Sequence, residues 1–176
     1  MTRVAVVLLA LCLAVTASCG QAPRGDKQEQ VAWAGLFPDG LQNAQGQPVA
    51  LDQLAGKLVG VYFSAHWCPP CRVFTPKLVA FRDKNAARFE VVFVSSDRSR
   101  ADMETYIKEA GMKWLCVPFR SQSAGALQKK YRVRGIPTLV VLSPTGEIVS
   151  ETARADVTNS PDTALASWLK AVPAKK

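Results

Sequence analysis

Two cysteines three residues apart, Cys68 and Cys71, stand between an apolar run and an amphipathic one. That junction constrains the fold more than any other stretch. Before it, Leu58-Val59-Gly60-Val61-Tyr62-Phe63 reads as a buried strand. After it, apolar residues at Val73, Phe74, Leu78, Val79 and Phe81 predict a helix over residues 72–85. The pair therefore sits where a strand hands over to a helix N-terminus. Pro69 and Pro70 suit the opening turn, whose amides have no intrahelical partner. Free N–H groups there, with the positive end of the helix dipole, favour an anion. The anion here would be the Cys68 thiolate.

Disulfide exchange needs one thiolate to attack a sulfur and a second thiol to resolve the mixed disulfide. Cysteines three apart on a first helical turn share a face and can bridge. Cys68, the more exposed, is expected to be the nucleophile; Cys71, one turn in and shielded, is expected to resolve. For such a thiol a fall in pKa from about 8.5 to about 7 is worth roughly 2 kcal/mol. The thiolate fraction at neutral pH then rises from about 3% to about half. Nucleophilicity falls with pKa, at a slope of ~0.45, so attack gains only about 3-fold. Most of the advantage must come from fast resolution by Cys71 and from substrate docking beside the motif.

The same spacing also serves metals. Zinc wants four ligands, yet His66 is the single histidine, Cys116 stands alone and there is no second Cys-x-x-Cys. No metal site and no cofactor is expected. A copper chaperone using both cysteines and a histidine stays open as an alternative. So does a redox-sensing binding module without turnover. His66 reads either as a residue that tunes the thiolate when protonated or as a solvated loop histidine.

Trp67-Cys68-Pro69-Pro70-Cys71 in this setting resembles the thioredoxin superfamily, and its tryparedoxin and nucleoredoxin branch in particular. Tyr62-Phe63-Ser64-Ala65, Phe74-Thr75-Pro76-Lys77-Leu78, Val92-Phe93-Val94-Ser95-Ser96-Asp97, Trp114-Leu115-Cys116-Val117-Pro118-Phe119 and Gly135-Ile136-Pro137-Thr138-Leu139 extend the likeness. The resemblance implies an α/β, thioredoxin-like fold, a central mixed β-sheet flanked by helices with an N-terminal β-hairpin extension. It implies a thiol-disulfide oxidoreductase that reduces protein disulfides and is recharged by an upstream thiol electron donor. It implies a redox disulfide Cys68-Cys71 and a cis Pro137 facing it, with Ile136 offering backbone groups to an extended substrate; alone, Ile-Pro would read as an ordinary trans turn. Trp67, with Pro69 and Pro70, would form the docking surface; otherwise Trp67 is a core tryptophan. One departure matters: thioredoxins carry a buried aspartate six residues before the first cysteine, and here that position is Tyr62.

Along the whole chain, 176 residues suggest one domain with room for a core. A hydrophobic content of 48% with 20% charged residues argues against disorder. Five cysteines, at 12, 19, 68, 71 and 116, are too few for a disulfide scaffold. Residues 1–18 read as a signal peptide: Thr2-Arg3, then an apolar run from Val4 to Val15, shorter than the ~20 residues that span a bilayer. Val15-Thr16-Ala17 permits cleavage after Ala17. Val15-Thr16-Ala17-Ser18-Cys19 also resembles a bacterial lipoprotein box, with lipidation at Cys19 and Thr16 where leucine is commonest. Residues 19–30 suit a flexible tether, and 31–176 the thioredoxin-like domain. The expected location is the bacterial periplasm or cell envelope, with membrane contact through a lipid anchor.

Further strands are expected over 57–65, 89–96, 114–119, 138–142 and 148–150, and helices over 99–110, 123–131 and 162–171. Ser143-Pro144-Thr145-Gly146 makes a hairpin turn, and Pro76 kinks the helix over 72–85 without ending it. Lys129, Lys130, Arg132 and Arg134 are the densest basic cluster. They read as a solvated helix face or as a rim that favours acidic partners. No nucleic-acid motif is present, and a monomer is expected. Cys116 reads as a small buried hydrophobe; Asp97 receives no role.

Overall fold

A computed structural model describes residues 27–173. Its sheet is built on the two Val-rich runs the sequence marks as buried, β3 (Leu58–Ser64) and β4 (Phe89–Ser95), which pair in parallel along their full length. The remaining strands are β1 (Leu41–Gln42), β2 (Pro48–Val49), β5 (Leu115–Cys116), β6 (Thr138–Leu142) and β7 (Ile148–Ser150). The order is β2-β1-β5-β4-β3-β6-β7. β5 is parallel to β4, whereas β6, β7 and the β1–β2 hairpin are antiparallel to their neighbours. The mixed seven-stranded sheet and the N-terminal hairpin extension are as the resemblance implies.

Strand alternation assigns the two faces. Leu58 and Tyr62 of β3 join Phe89, Val91 and Phe93 of β4 in one core. Helices α2 (Pro69–Lys84), α3 (Arg100–Glu109), α5 (Ala153–Asn159) and α6 (Pro161–Ala171) cover it. Val59, Val61 and Phe63 face a second core closed by α1 (Lys27–Leu36) and α4 (Gln122–Lys130). Gly60 lies between Leu58 and Tyr62 because a Cβ there would stand 2.7 Å from Phe89 Cζ. The Phe89 ring cannot retreat easily, since it packs against Phe81 and Trp168.

Two helices escaped the sequence reading. α5 is only seven residues long and turns just Ala153 and Val157 inward, too few positions for a visible period. α1 begins at Lys27, inside the expected 19–30 tether, and anchors through Trp33 and Phe37, whose rings stack at 6.1 Å. The expected signal peptide, Cys19 and the rest of the tether lie outside the described residues. The strand expected over 114–119 shortens to two residues, and α2 starts three residues earlier than its apolar pattern because the prolines open it. Pro76 sits inside α2 without ending it. Among the described residues no helix is long and apolar enough to cross a membrane.

Asp39 ties the hairpin's approach to α4. Its Oδ2 accepts from the Ser123 N–H and hydroxyl, both at 2.7 Å, and these bonds hold its carboxyl below the usual range. A lowered folded pKa stabilises the fold above the unfolded pKa, and that contribution is lost as pH falls through the folded value. Asp39→Asn is therefore expected to lower the thermal midpoint at neutral pH. It should also flatten the midpoint's decline below about pH 4, which thermal unfolding across pH would read.

Candidate active site

The strand-to-helix junction is where the sequence places it. Cys68 is the N-cap of α2, and Pro69 and Pro70 are its first helical residues. The Cys68 and Cys71 sulfurs are joined as a disulfide, with Cα atoms 5.3 Å apart. The Ile136–Pro137 peptide is cis. Ile136 packs on Ala65, Cys68 and Cys71, and its carbonyl oxygen lies 3.7 Å from Cys68 Sγ. The fold thus brings together Cys68, Cys71, Trp67, Pro69, Pro70, Ile136 and Pro137. Trp67 is 51% exposed, not a core residue, and its indole N–H donates to the Ser96 carbonyl at 3.1 Å.

Two expectations about the cysteines change. Cys68 is only 4% exposed, against 0% for Cys71, so the pair differs less in access than helix position alone suggests. Ile136, arriving from a distant loop, supplies the cover. The helix start is also poorer in free amides than expected. Pro69 and Pro70 carry no N–H, and the N–H groups of Cys71 and Arg72 both donate to the Cys68 carbonyl. What remains to favour a Cys68 thiolate is the axial field of α2.

His66 is half-buried and has partners. Its Nε2 meets Glu109 Oε2 at 2.9 Å, and its ring lies over Tyr106 at 5.5 Å. The His66 backbone N–H donates to Asp97 Oδ1 at 2.7 Å, while the Ser95 hydroxyl donates to Oδ2 at 2.8 Å. Asp97 and Ser96 together clamp the His66-Trp67 loop that leads into Cys68. Burial pushes the Asp97 carboxyl up, opposed by those hydrogen bonds. Position after a strand end was the one sequence signal for Asp97, and it does not announce a partner 31 residues away.

Tyr62, at the position of the absent aspartate, belongs to a chain of buried hydroxyls. The Thr75 hydroxyl donates to the Cys71 carbonyl at 2.9 Å, so its oxygen accepts from Tyr62, 2.7 Å away, and from Tyr106. Tyr106 in turn lies 3.1 Å from Ser64 Oγ. Burial raises the Tyr62 pKa above its already high ordinary value. The chain is neutral at working pH and rigidifies the floor of the site without a carboxylate.

A cleft of about 430 Å³ opens beside Pro137, lined by Thr138, Glu151, Thr152, Arg154 and Asn159 among others. Sequence reasoning missed it because α5, which forms one wall, was not recognised. Lys129, Lys130, Arg132 and Arg134 are all exposed, and Arg134 stands two residues before Ile136. Among the described residues no group of three or more His, Cys, Asp or Glu could hold a metal ion.

Cys116 is buried at 3% exposure, with its sulfur 3.6 Å from the Gln42 carbonyl, and burial pushes its pKa up to about 11. At about pH 8 it is then almost wholly thiol, while thiolate is the reactive form. After reduction, iodoacetamide should alkylate Cys68 and leave Cys116 unmodified in the folded protein, as peptide mass mapping would show. Cys116→Ala should keep disulfide reductase activity within about twofold.

A family model described as thioredoxin-like matches residues 56–148. Nucleoredoxin from Bos taurus is 44% identical over 126 residues, which make up 69% of this chain and 28% of that protein. The chain thus spans under a third of that relative's length. Tryparedoxin from Trypanosoma brucei brucei is 44% identical over 124 residues, 68% of this chain and 85% of that one. The solved structure of tryparedoxin II from C. fasciculata superposes with a TM-score of 0.71 at 37% identity, over 77% of this chain and 91% of the other.

Proposed function

This chain belongs to the thioredoxin-like family, and from that premise we propose that it is a thiol-disulfide oxidoreductase that reduces protein disulfides through Cys68 and Cys71. The observation that carries the proposal is the joined pair at the start of α2, with the Ile136 carbonyl 3.7 Å from Cys68 Sγ. A backbone acceptor next to the attacking sulfur suits a substrate held in extended form. The Cys68 thiolate attacks one sulfur of the substrate disulfide, and the substrate's other sulfur leaves as a thiolate and takes a proton. Cys71 then attacks Cys68 Sγ, releases the second substrate thiol and closes the Cys68–Cys71 disulfide. Two thiols of an upstream donor reopen it. Trp67, Pro69 and Pro70 line the exposed side on which the substrate docks, and Pro137 with its cleft receives the chain beyond the disulfide.

The test is turnover. A catalytic amount of the protein, with dithiothreitol as donor, should accelerate reduction of a peptide disulfide over dithiothreitol alone. Stoichiometric copper binding by the reduced protein with no acceleration would favour the metallochaperone instead.

On the same proposal, residues 1–18 direct export to the bacterial periplasm or cell envelope and Cys19 carries a lipid. Support comes from the apolar run of residues 4–15 and the small residues before Cys19. A mass for the membrane-extracted protein equal to simple cleavage after Ala17 would remove the lipid anchor.

A further inference from the structure

Two arginines stand by contact beside Trp67, and two more lie close in the chain to Cys71 and Ile136. Arg98 lies over the Trp67 ring at 6.0 Å. Arg120 donates from Nη2 to the Arg98 carbonyl at 2.9 Å and stacks on Phe119 at 5.2 Å, so its guanidinium is held in place beside Arg98. Arg72 follows Cys71 and lines a small cavity of about 190 Å³ with His66 and Glu109. Arg134 leads into Gly135 and Ile136. All four are exposed, and none has a carboxylate partner among the described residues. The carboxylates of Glu109, Asp97 and Asp102 bond to His66, to His66 N–H and Ser95, and to Ser99, and to none of the four arginines.

Unpaired, partly pre-positioned guanidinium groups around a reactive centre attract and orient an anionic partner. We infer that the rim formed by Arg98, Arg120, Arg72 and Arg134 is a docking face for an acidic polypeptide segment flanking the substrate disulfide. This deepens the proposed reductase function and rests on it. A polypeptide fits better than a polyphosphate or a lipid surface, because the segments that carry these arginines also carry the redox sulfurs and the Ile136 carbonyl, groups that only a chain bearing a disulfide can use.

The test uses the full chain, reduced and freed of reductant, with three synthetic peptides sharing one intramolecular disulfide. Their flanking residues are Glu, Lys or Ser. Each reaction yields the peptide dithiol and the Cys68–Cys71 disulfide, and its second-order rate is read. At about 20 mM salt the Glu peptide should react about 10-fold or more faster than the Lys peptide. At about 500 mM salt, where the Debye length is only ~4 Å, the ratio should fall below about 3-fold. Arg98→Glu with Arg120→Glu should cut the low-salt ratio by about tenfold, while Lys170→Glu on α6 should change it by less than about twofold. If the reversed variant does not fold, Arg98→Gln with Arg120→Gln gives the same comparison at half the charge change.

Reduction of the Ser peptide with equal Glu and Lys rates would overturn the docking face and leave the reductase standing. No reduction of any peptide would overturn both. Equal effects per unit of charge changed in the Arg98/Arg120 and Lys170 reversals would trace the preference to net charge and overturn the local rim. Rim-dependent binding to phosphatidylglycerol vesicles without a rate preference among the peptides would overturn it in favour of a membrane.

Discussion

Cys71→Ser is expected to accumulate partner proteins as mixed disulfides on Cys68, and Cys68→Ser to trap almost none. The asymmetry follows from the order of the two steps. Cys68 is the N-cap of α2 and retains a trace of exposure, and Cys71 has none. On the proposed mechanism an incoming disulfide meets Cys68 and Cys71 releases it. Removing the resolver leaves the first bond formed and the second step absent; removing the attacker prevents the first bond. Both variants should lose turnover by at least about 10³-fold, since residues that act as a unit fail as a unit. A copper site would lose both ligands equally and trap nothing. Non-reducing electrophoresis of each variant after incubation in a cell extract, with mass identification of the bands, makes the measurement. Equal trapping by the two variants would show that helix position does not define the nucleophile, and trapping by Cys68→Ser alone would invert the roles.

Arg82→Met is expected to cost about 3 kcal/mol of stability, the lower end of the range for stranding one charge of a buried pair. Glu90 lies on β4 with 8% of its side chain exposed, and Arg82 of α2 retains 17%. The contact is bidentate: Nε to Oε1 at 2.9 Å and Nη2 to Oε2 at 2.6 Å, with the Val91 N–H also donating to Oε1 at 2.9 Å. The paired carboxylate in turn raises the Arg82 pKa. Removing the guanidinium leaves a carboxylate in the sheet with one backbone donor. The residual exposure of Arg82 lets water in and holds the loss near the lower end. The urea midpoint should fall by about 1.5 M. Arg82→Met combined with Glu90→Leu should recover most of that, because the cost lies in the stranded charge and not in the lost attraction. A loss below about 0.5 kcal/mol for Arg82→Met would show that Glu90 finds water or another donor at once.

Glu90 illustrates where local reading stops. Within Phe89-Glu90-Val91-Val92-Phe93-Val94 it is one charge in a run otherwise suited to burial, and the pattern correctly yields a strand. Nothing in that run names Arg82, which comes from the last turn of the preceding helix. Asp97 is the same case at the candidate site. Its side chain holds the loop before Cys68, yet its position after a strand end reads like any surface aspartate. His66 was legible as a neighbour of the motif, but its pairing with Glu109, 43 residues on, was not.

The sequence by itself determined the strand–cysteine–helix junction, the buried central strands and the hairpin turn at Gly146, while attention to Pro137 came from the family resemblance. The first three are written in a few adjacent residues: an unbroken apolar run, a period of 3.6, prolines that open a helix and a Pro-Thr-Gly turn. The tertiary structure alone decided how far Cys68 is covered, which carboxylate answers which cation, and that Arg98 and Arg120 meet beside Trp67. These depend on contacts between residues far apart in the chain, such as Ile136 with Cys68 across 68 positions. Such contacts form only when the sheet order sets separate loops side by side, and no local periodicity encodes that order.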